Sequence, residues 1–294
     1  MSSDVLGENS EPTMCSQRYP ETYDACFGAE HQFRLFDRRG TFRLSSAGLA
    51  MGNYLADNLT AQELGGRVLD IGTGSGAIAL LLRRMGARSI TAVDICASAV
   101  ATAMENEIEN FGNSAINFQH ADLFPDAPGS KSEPCDLITF NAPGWRAPSQ
   151  ILKAALKSGA RSLDLNAMFY GDRVLLRFLQ QLPGHMTENG RAIVGLNSLV
   201  GIGDIVNRSR STHRPKCNSK LNMRLLKRVE LPLLFYTKEW LEVRDSLLEF
   251  FEQGRDEYSA RYVTEGDTIH WFYEITEVTV ERPATTLHSI GDKQ

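Results

Sequence analysis

Residues 67–85 place a short apolar strand, a glycine-rich turn and a helix in direct succession. The strand reads RVLDI, the turn GTGSG covers Gly72–Gly76, and Leu80 and Leu81 follow at helical spacing. Glycines let the backbone turn sharply and let a ligand approach the main chain. The helix that follows offers free N–H groups and the positive end of its dipole. The segment therefore predicts a strand–turn–helix unit that binds a polar or anionic group.

Strands and helices continue to alternate after this unit. The patterns predict strands at 89–93, 116–119, 136–140 and 191–196, and helices from about 76 to 85, at 97–111 and at 172–186. Alternation at this length favours a parallel sheet with right-handed crossovers and helices on both faces. The predicted fold is therefore α/β, with a doubly wound, mostly parallel sheet.

The two ends of the chain lack the regular alternation of strands and helices that the centre shows. We predict a disordered polar tail at 1–20 and an extension at 21–64. Its hairpin would lie between Phe33 and Leu44 and its helix would begin at Ser45 or Ser46. The main domain would span 65–294 and contain a mobile basic insertion at 205–229. Beyond it we predict a strand at 230–236, a helix at 238–253 capped by Gly254, and a closing strand at 268–280.

Composition and charge exclude several classes of protein. Hydrophobic residues make up 42% of the 294 residues, and no apolar run is long enough to span a membrane. The N-terminus lacks a secretory pattern, so we expect a cytoplasmic protein without a membrane partner. The five cysteines show no C-x-x-C spacing, so the sequence predicts neither a disulfide framework nor a metal site.

Carboxylate and amide side chains recur at the predicted strand ends. Asp70 precedes the glycine turn, Asp94 ends the next strand, and Asp122 and Asn141 follow the third and fourth strands. Open α/β sheets bind their ligands along that edge, and an acid about 20 residues after the turn suits a ribose. A nicotinamide-dependent oxidoreductase shares the glycine turn. Asp70 would repel a pyrophosphate, however, and suits the cationic ammonium group of S-adenosylmethionine.

Taken together, LDIGTGSGAIAL, VDI, ADLF and DLITFNAPGW resemble a class I S-adenosylmethionine-dependent methyltransferase. The resemblance covers roughly 45–200 and is strongest to the branch that N-methylates glutamine side chains, guanine or adenine. It implies a seven-stranded Rossmann-like methyltransferase sheet. It also implies that the glycine turn holds the methionine part of the cofactor, that Asp94 binds the ribose and that Asp122 and Leu123 contact the adenine. The implied cofactor-binding residues are Asp70, Gly72, Gly74, Gly76, Asp94, Ile95, Asp122, Leu123 and Asn141.

The hallmark of that branch is Asn or Asp, Pro, Pro and an aromatic residue. Here Asn141 and Pro143 match, Ala142 and Gly144 depart, and Trp145 comes one residue late. We predict Asn141 and Pro143 as catalytic residues, with the Asn141 oxygen and main-chain carbonyls near Pro143 accepting N–H bonds from the methyl acceptor. Trp145 is a candidate substrate-binding residue.

The acceptor itself stays open at this point. We expect nitrogen methylation of a small molecule or of an amide or heteroaromatic group, with a protein glutamine or an RNA base as the alternative. Residues 205–229 hold eight Lys or Arg and no acid, which would suit nucleic acid, but the net charge of −5 does not favour it. A non-catalytic module that binds the cofactor is the remaining alternative, since Ala142 and Gly144 alter the hallmark.

Overall fold

The computed structural model describes residues 22–38, 40–125, 133–159, 168–211, 220–233, 241–266 and 268–282. The predicted tail at 1–20 lies outside these residues. The strands are β1 (Thr22–Phe27), β2 (His31–Phe36), β3 (Arg67–Ile71), β4 (Ser89–Asp94), β5 (Asn117–His120), β6 (Cys135–Asn141), β7 (Met186–Asn197), β8 (Lys220–Pro232), β9 (Tyr262–Glu265) and β10 (Thr268–Glu281). The helices are α1 (Ser46–Asn58), α2 (Ala77–Arg84), α3 (Ala97–Phe111), α4 (Gln150–Gly159), α5 (Gly171–Gln181), α6 (Ile202–Ser211) and α7 (Arg244–Tyr258).

The main sheet confirms the predicted doubly wound α/β architecture. Its strand order is β5-β4-β3-β6-β7-β10-β8, and the first five strands pair in parallel. β10, which includes the predicted closing strand at 268–280, runs antiparallel between β7 and β8. The described sheet has eight strands instead of seven, because the short β9 also pairs with β10. Parallel pairing aligns the carboxyl ends of β3, β4 and β6 at one edge.

The predicted position of the N-terminal hairpin was wrong. It joins β1 to β2 through residues 28–30, with Phe27 opposite His31, and does not turn at 37–40. Phe33 is therefore in the second strand, where it is buried together with Leu35. The helix prediction is confirmed, since α1 begins at Ser46 and the Ser45 hydroxyl accepts a hydrogen bond from the Gly48 N–H.

Two predicted helices have different ends in the structure. α5 stops at Gln181 and β7 already starts at Met186, so the predicted helix to 186 was too long. Asn189 and Gly190 lie inside β7, where the register with β6 is irregular. α7 runs to Tyr258 with Ser259 as its C-cap, so Gly254 is a buried helix residue and not the cap. The error at Gly254 came from treating a glycine as a stop signal, whereas in the structure this glycine is buried within the helix.

The predicted basic insertion at 205–229 is mostly regular structure. Residues 205–211 finish α6, and 220–229 belong to β8, which extends to Pro232 where the sequence predicted a strand at 230–236. β8 pairs with β10 along most of its length. Residues 220–229 of the segment that the sequence assigned to a mobile loop thus form part of the edge strand of the main sheet.

Apolar packing covers both faces of the sheet. One buried cluster joins the hairpin, α1 and α2 to the aromatic residues of α7 and β10, and the second lies between the sheet and α5. The separate boundaries predicted for the extension and the main domain stay a prediction, although the first cluster spans both. Within the described part of the chain, no helix is long and apolar enough to cross a membrane.

Candidate active site

The glycine turn lies where β3 ends and α2 begins. Gly72, Gly74 and Gly76 all have positive φ, between 55° and 83°. At Gly76 a Cβ atom would also lie 2.9 Å from the Cβ of Ala103 in α3, so both the backbone and the packing require glycine. The turn therefore brings the main chain close to α3 and leaves the first N–H groups of α2 at the sheet edge.

Asp70 lies beneath this turn and is 2% exposed. Its Oδ1 accepts a hydrogen bond of 2.7 Å from the Thr139 hydroxyl of β6. Its Oδ2 and the nearby Thr73 Oγ1 are both buried without a hydrogen-bond partner. Burial raises the pKa of Asp70 to about 6, although the hydroxyls of Thr73 and Thr139 oppose the rise, and the Asp94 carboxylate adds a smaller contribution to it. An unsatisfied buried carboxylate oxygen beside a glycine turn fits a cationic ligand group.

Asp94, at the end of β4, holds the turn in place. Its Oδ2 accepts a hydrogen bond of 2.9 Å from the Gly74 N–H and its Oδ1 accepts one of 2.9 Å from the Cys96 N–H. The carboxylate thus connects the glycine turn to the start of α3. Its position at the end of β4, beside the glycine turn, is compatible with the predicted ribose contact.

The remaining predicted cofactor residues lie further along the same edge. Asp122 forms an ion pair of 2.7 Å with Arg177 of α5, and both side chains are about half exposed. Leu123 is buried and has a φ of 71°, which fixes a sharp bend after β5. Ile95 is exposed, and its carbonyl oxygen lies 2.9 Å from His120 Nε2. Their predicted contacts with an adenine stay predictions.

Asn141 ends β6 and is half-buried. Its Oδ1 accepts a hydrogen bond of 2.7 Å from the hydroxyl of Tyr273 in β10. Its Nδ2 lies 3.4 Å from the position that a Cβ on Gly48 would take, so the start of α1 lies beside this amide. The structure therefore brings Asn141 together with the extension and the antiparallel strand, two contacts that the sequence did not indicate.

The loop after Asn141 shows why glycine occupies position 144, where the hallmark has an aromatic residue. A Cβ on Gly144 would come within 2.3 Å of Asn197 Nδ2, so the Asn197 amide fills the space that an aromatic side chain at 144 would need. The Pro143 carbonyl oxygen faces Gly171, where a Cβ would approach it to 2.0 Å. Pro143 is thus held against the start of α5, and its predicted catalytic role stays a prediction.

Trp145 is buried at 5% exposure between aromatic side chains. Phe169 and Phe251 both meet its ring edge-on at 5.2 Å between centroids. Such packing is typical of a core aromatic, and it accounts for Trp145 without an acceptor. The substrate-binding role predicted for Trp145 stays a prediction without support from this geometry.

A segment of the extension also lines the site, and the sequence did not assign it there. The Gly40 carbonyl oxygen accepts a hydrogen bond of 3.1 Å from the Ser98 hydroxyl, and Thr41 Oγ1 lies 2.9 Å from Thr102 Oγ1. The main chain at Phe42 approaches the glycine turn at Gly74. These contacts place 40–42 over the start of α3. A polar segment before a predicted helix gives no sequence signal of this kind.

Three of the four Lys and Arg residues of β8 are paired with acids of β10. Arg224 contacts Glu277 at 2.9 Å and Arg228 contacts Glu274 at 2.6 Å, while Lys220 lies 3.8 Å from Glu281. Arg191 of β7 also contacts Glu277, at 2.9 Å. Much of the positive charge that suggested a nucleic-acid surface is therefore compensated within the sheet.

The described residues contain no cluster of three or more His, Cys, Asp or Glu side chains that could hold a metal ion. The polar groups at the sheet edge are instead isolated carboxylates and amides, each held by a named neighbour. Their chemistry is binding and orientation of a ligand by hydrogen bonds and charge.

Comparison with known proteins gives a consistent result. Residues 47–142 match the protein family described as a methyltransferase domain. A proposed protein N5-glutamine methyltransferase of Methanocaldococcus jannaschii is 33% identical over 48% of this chain and 66% of its own length. The release factor glutamine methyltransferase of Bacillus cereus is 33% identical over 48% of this chain and 49% of its own.

Two further proteins extend the comparison. The tRNA1(Val) (adenine(37)-N6)-methyltransferase of Vibrio vulnificus YJ016 is 33% identical over 55% of this chain and 61% of its own length. The chain thus spans between about half and two thirds of these curated relatives. A proposed methyltransferase solved in complex with SAH has the same fold, with a TM-score of 0.52 at 14% identity, over 90% of this chain and 57% of that one.

Proposed function

Because residues 47–142 match a methyltransferase domain, we propose that this chain transfers the methyl group of S-adenosylmethionine to a planar nitrogen. The observation that carries the proposal is the placement of Asn141. Its amide lies half-buried at the carboxyl end of β6, in the same row of strand ends as Asp70 and Asp94. Open α/β sheets bind cofactor and substrate along that row.

The glycine turn and two carboxylates would hold the cofactor. S-adenosylmethionine supplies a methyl group that its sulfonium already activates. Asp70 Oδ2 is a buried acceptor without a partner, which fits the ammonium group. Asp94 is positioned by Gly74 and Cys96 and would accept hydrogen bonds from ribose hydroxyls. The free N–H groups of α2 and the backbone at Gly74 would contact the methionine part.

Asn141 would then orient the acceptor nitrogen. An amide nitrogen is a poor nucleophile because its lone pair is delocalised, so it must be held with that lone pair directed at the methyl group. Asn141 Oδ1 has one lone pair left after it accepts the Tyr273 hydroxyl, and this would receive one N–H of the acceptor. A main-chain carbonyl near Pro143 would receive the second. Positioning of this kind supplies much of the rate without a metal or a covalent step.

For the acceptor we propose a side-chain amide of a protein. Two of the relatives above carry glutamine methyltransferase names, and one carries a tRNA adenine methyltransferase name. The small-molecule acceptor expected from the sequence has no support among them. The ion pairs of Arg224 and Arg228 with β10 favour a protein over RNA, because they leave β8 with little uncompensated charge.

The test replaces Asn141 by alanine. With tritiated S-adenosylmethionine, we expect wild-type protein to label a synthetic glutamine-containing peptide. Asn141→Ala should keep the affinity for S-adenosylmethionine and lower kcat by about 10²-fold, the loss typical of one preorganised polar contact. The matched control is Asn58→Ala, at the C-terminal end of α1 and so away from Asn141, which lies beside the start of that helix. This control should leave the cofactor affinity and kcat unchanged. Wild-type turnover in Asn141→Ala would show that the nitrogen clamp is wrong.

Binding and labelling experiments on the wild-type protein also distinguish the oxidoreductase, the RNA methyltransferase and the non-catalytic module from the proposed function. Calorimetry with S-adenosylmethionine and with NADH should show binding of the former alone. Labelling of unmodified tRNA in place of the peptide would make a nucleobase the acceptor. Cofactor binding without labelling of the peptide, tRNA or rRNA would favour the non-catalytic module.

A further inference from the structure

A tyrosine on the last strand contacts the amide at the centre of the proposed site. Tyr273 lies on β10, two strands away from Asn141 on β6, with β7 between them. Its hydroxyl donates to Asn141 Oδ1 at 2.7 Å. The hydrogen bond joins residues 132 positions apart, and Tyr273 is 1% exposed.

The sheet is built to let this side chain cross. Gly195 of β7 is in register with Asn141 on one side and with Ile275 on the other. A Cβ on Gly195 would lie 1.8 Å from the Tyr273 hydroxyl oxygen. Any larger residue at 195 would therefore occupy the path of the phenol, so glycine here is required for the contact between Tyr273 and Asn141.

The direction of the hydrogen bond determines how the amide is presented. Burial raises the pKa of Tyr273 well above its ordinary value, so the hydroxyl keeps its proton, and it donates that proton to Asn141 Oδ1. With Oδ1 held by the hydroxyl, Nδ2 lies beside the start of α1 at Gly48. Without the hydroxyl, Oδ1 would lose the hydrogen bond that anchors this end of the amide.

We propose that Tyr273 is a positioning residue that holds the Asn141 amide in the orientation needed to receive the methyl acceptor. This rests on the proposed function, in which Asn141 touches the acceptor. Tyr273 itself contacts neither cofactor nor acceptor in this scheme. It acts through Asn141 by occupying one lone pair of Oδ1 and holding the amide so that the other lone pair faces the acceptor.

The experiment uses Tyr273→Phe, which removes the hydroxyl and keeps the buried ring. The matched control is Tyr262→Phe, because the Tyr262 hydroxyl also donates to a side chain, Glu252, and makes no contact with Asn141. With the glutamine peptide as acceptor, Tyr273→Phe should lower kcat about three- to tenfold, as expected for loss of one neutral hydrogen bond, and leave the Kd of S-adenosylmethionine unchanged. Tyr262→Phe should change neither.

A double-mutant cycle separates positioning from a general structural effect. If Tyr273 acts only through Asn141, Tyr273→Phe should cause no further loss of kcat in the Asn141→Ala background. Equal fold losses in both backgrounds would overturn the inference, and so would wild-type kcat in the single variant. A fall in cofactor affinity equal to the fall in kcat would also overturn it.

A second measurement does not depend on turnover. The side-chain amide resonances of Asn141, assigned by their absence in Asn141→Ala, should shift in Tyr273→Phe and stay in place in Tyr262→Phe. Unchanged resonances in Tyr273→Phe would overturn the inference even if kcat falls. If wild-type protein labels no acceptor at all, the proposed function fails, whereas a shift of these resonances still supports the Tyr273 contact.

Discussion

Replacement of Asp70 by asparagine should stabilise the cofactor-free protein, and increasingly so as the pH rises. Asp70 is buried, and its pKa is about 6 in the folded chain against 3.8 as an ordinary value. Between these values the unfolded chain releases the Asp70 proton first, so the folded state becomes less stable as pH rises from about 4 to about 6. The asparagine side chain cannot ionise, so the substitution removes that loss.

The magnitude follows from the difference in pKa. Each pKa unit corresponds to about 1.4 kcal/mol, so the charged Asp70 destabilises the fold by about 3 kcal/mol at pH 7.5 as an upper value. At pH 4.5 the same relation gives about 1 kcal/mol. Asparagine keeps an oxygen for the Thr139 hydroxyl, and its N–H can donate to Thr73 Oγ1, which already interacts with the Asp70 carboxyl. We therefore expect the stability difference between Asp70→Asn and wild type to grow by about 2 kcal/mol from pH 4.5 to 7.5.

Urea denaturation at several pH values measures this difference directly. Other titrating groups are common to both proteins and cancel in the comparison. Asp57→Asn makes the same chemical change on the exposed side of α1 and serves as the control. A stability difference between Asp70→Asn and wild type that stays constant from pH 4.5 to 7.5 would refute the reasoning. Saturating S-adenosylmethionine should then stabilise wild type more than Asp70→Asn, because only the carboxylate offers a charge to the ammonium group.

Three further predictions follow from the same contacts. Asp94→Ala should weaken S-adenosylmethionine binding at least tenfold by calorimetry, since hydrogen bonds to a carboxylate contribute about 1.5–3 kcal/mol each; unchanged affinity would remove the ribose assignment. Gly144→Phe should lower the unfolding temperature, because Asn197 fills that space, and Asn197→Gly should restore part of it; full stability of the single variant would contradict this. Glu277→Gln should cost about 1.5–3 kcal/mol at neutral pH, because it breaks charged hydrogen bonds with two arginines. Burial opposes ionisation of Glu277, yet these arginines lower its pKa, so the cost should shrink in urea titrations as the pH falls below 4.5.

The central βαβ elements could be predicted from sequence because their signals are local. The turn at Gly72–Gly76, helix α3 and the strand before Asn141 each combine apolar periodicity with a clear stop, and the structure confirms them. The prediction of the hairpin was wrong because β2 pairs with the strand before it, TYDACF, in which apolar and polar residues alternate only weakly. The prediction for β8 was wrong because its positive charge was taken as a sign of a loop. In the structure, Arg224 and Arg228 form cross-strand ion pairs with acids of β10.

The candidate site divides in the same way. Asp70, Asp94 and Asn141 could be placed at the sheet edge from sequence because each lies at or near the end of a strand with a recognisable pattern. Tyr273 was not, since its position in TIHWFYEITEVTV shows only that the segment favours a strand. Its contact with Asn141 depends on β10 lying beside β7 and on Gly195 leaving a path, and both are properties of the assembled sheet.

The attachment of the N-terminal hairpin to α3 has a consequence for how the chain folds. Asn110 and Asn106 of α3 accept hydrogen bonds from the backbone N–H groups of Arg34 and Phe36, 76 and 70 residues earlier in the chain. The hairpin itself needs only local contacts and can form in about 1–10 μs.

Synthesis separates the two events. At roughly 5–20 residues per second, α3 is completed about 4–15 s after the hairpin. During that interval Phe27 can pack against α1, which is synthesised earlier, whereas Phe33 still lacks Phe111 of α3, its ring neighbour in the native fold. We expect the nascent chain to expose part of the apolar face of the hairpin for seconds before α3 is synthesised. Translation speed and access to chaperones should therefore influence the yield of folded protein.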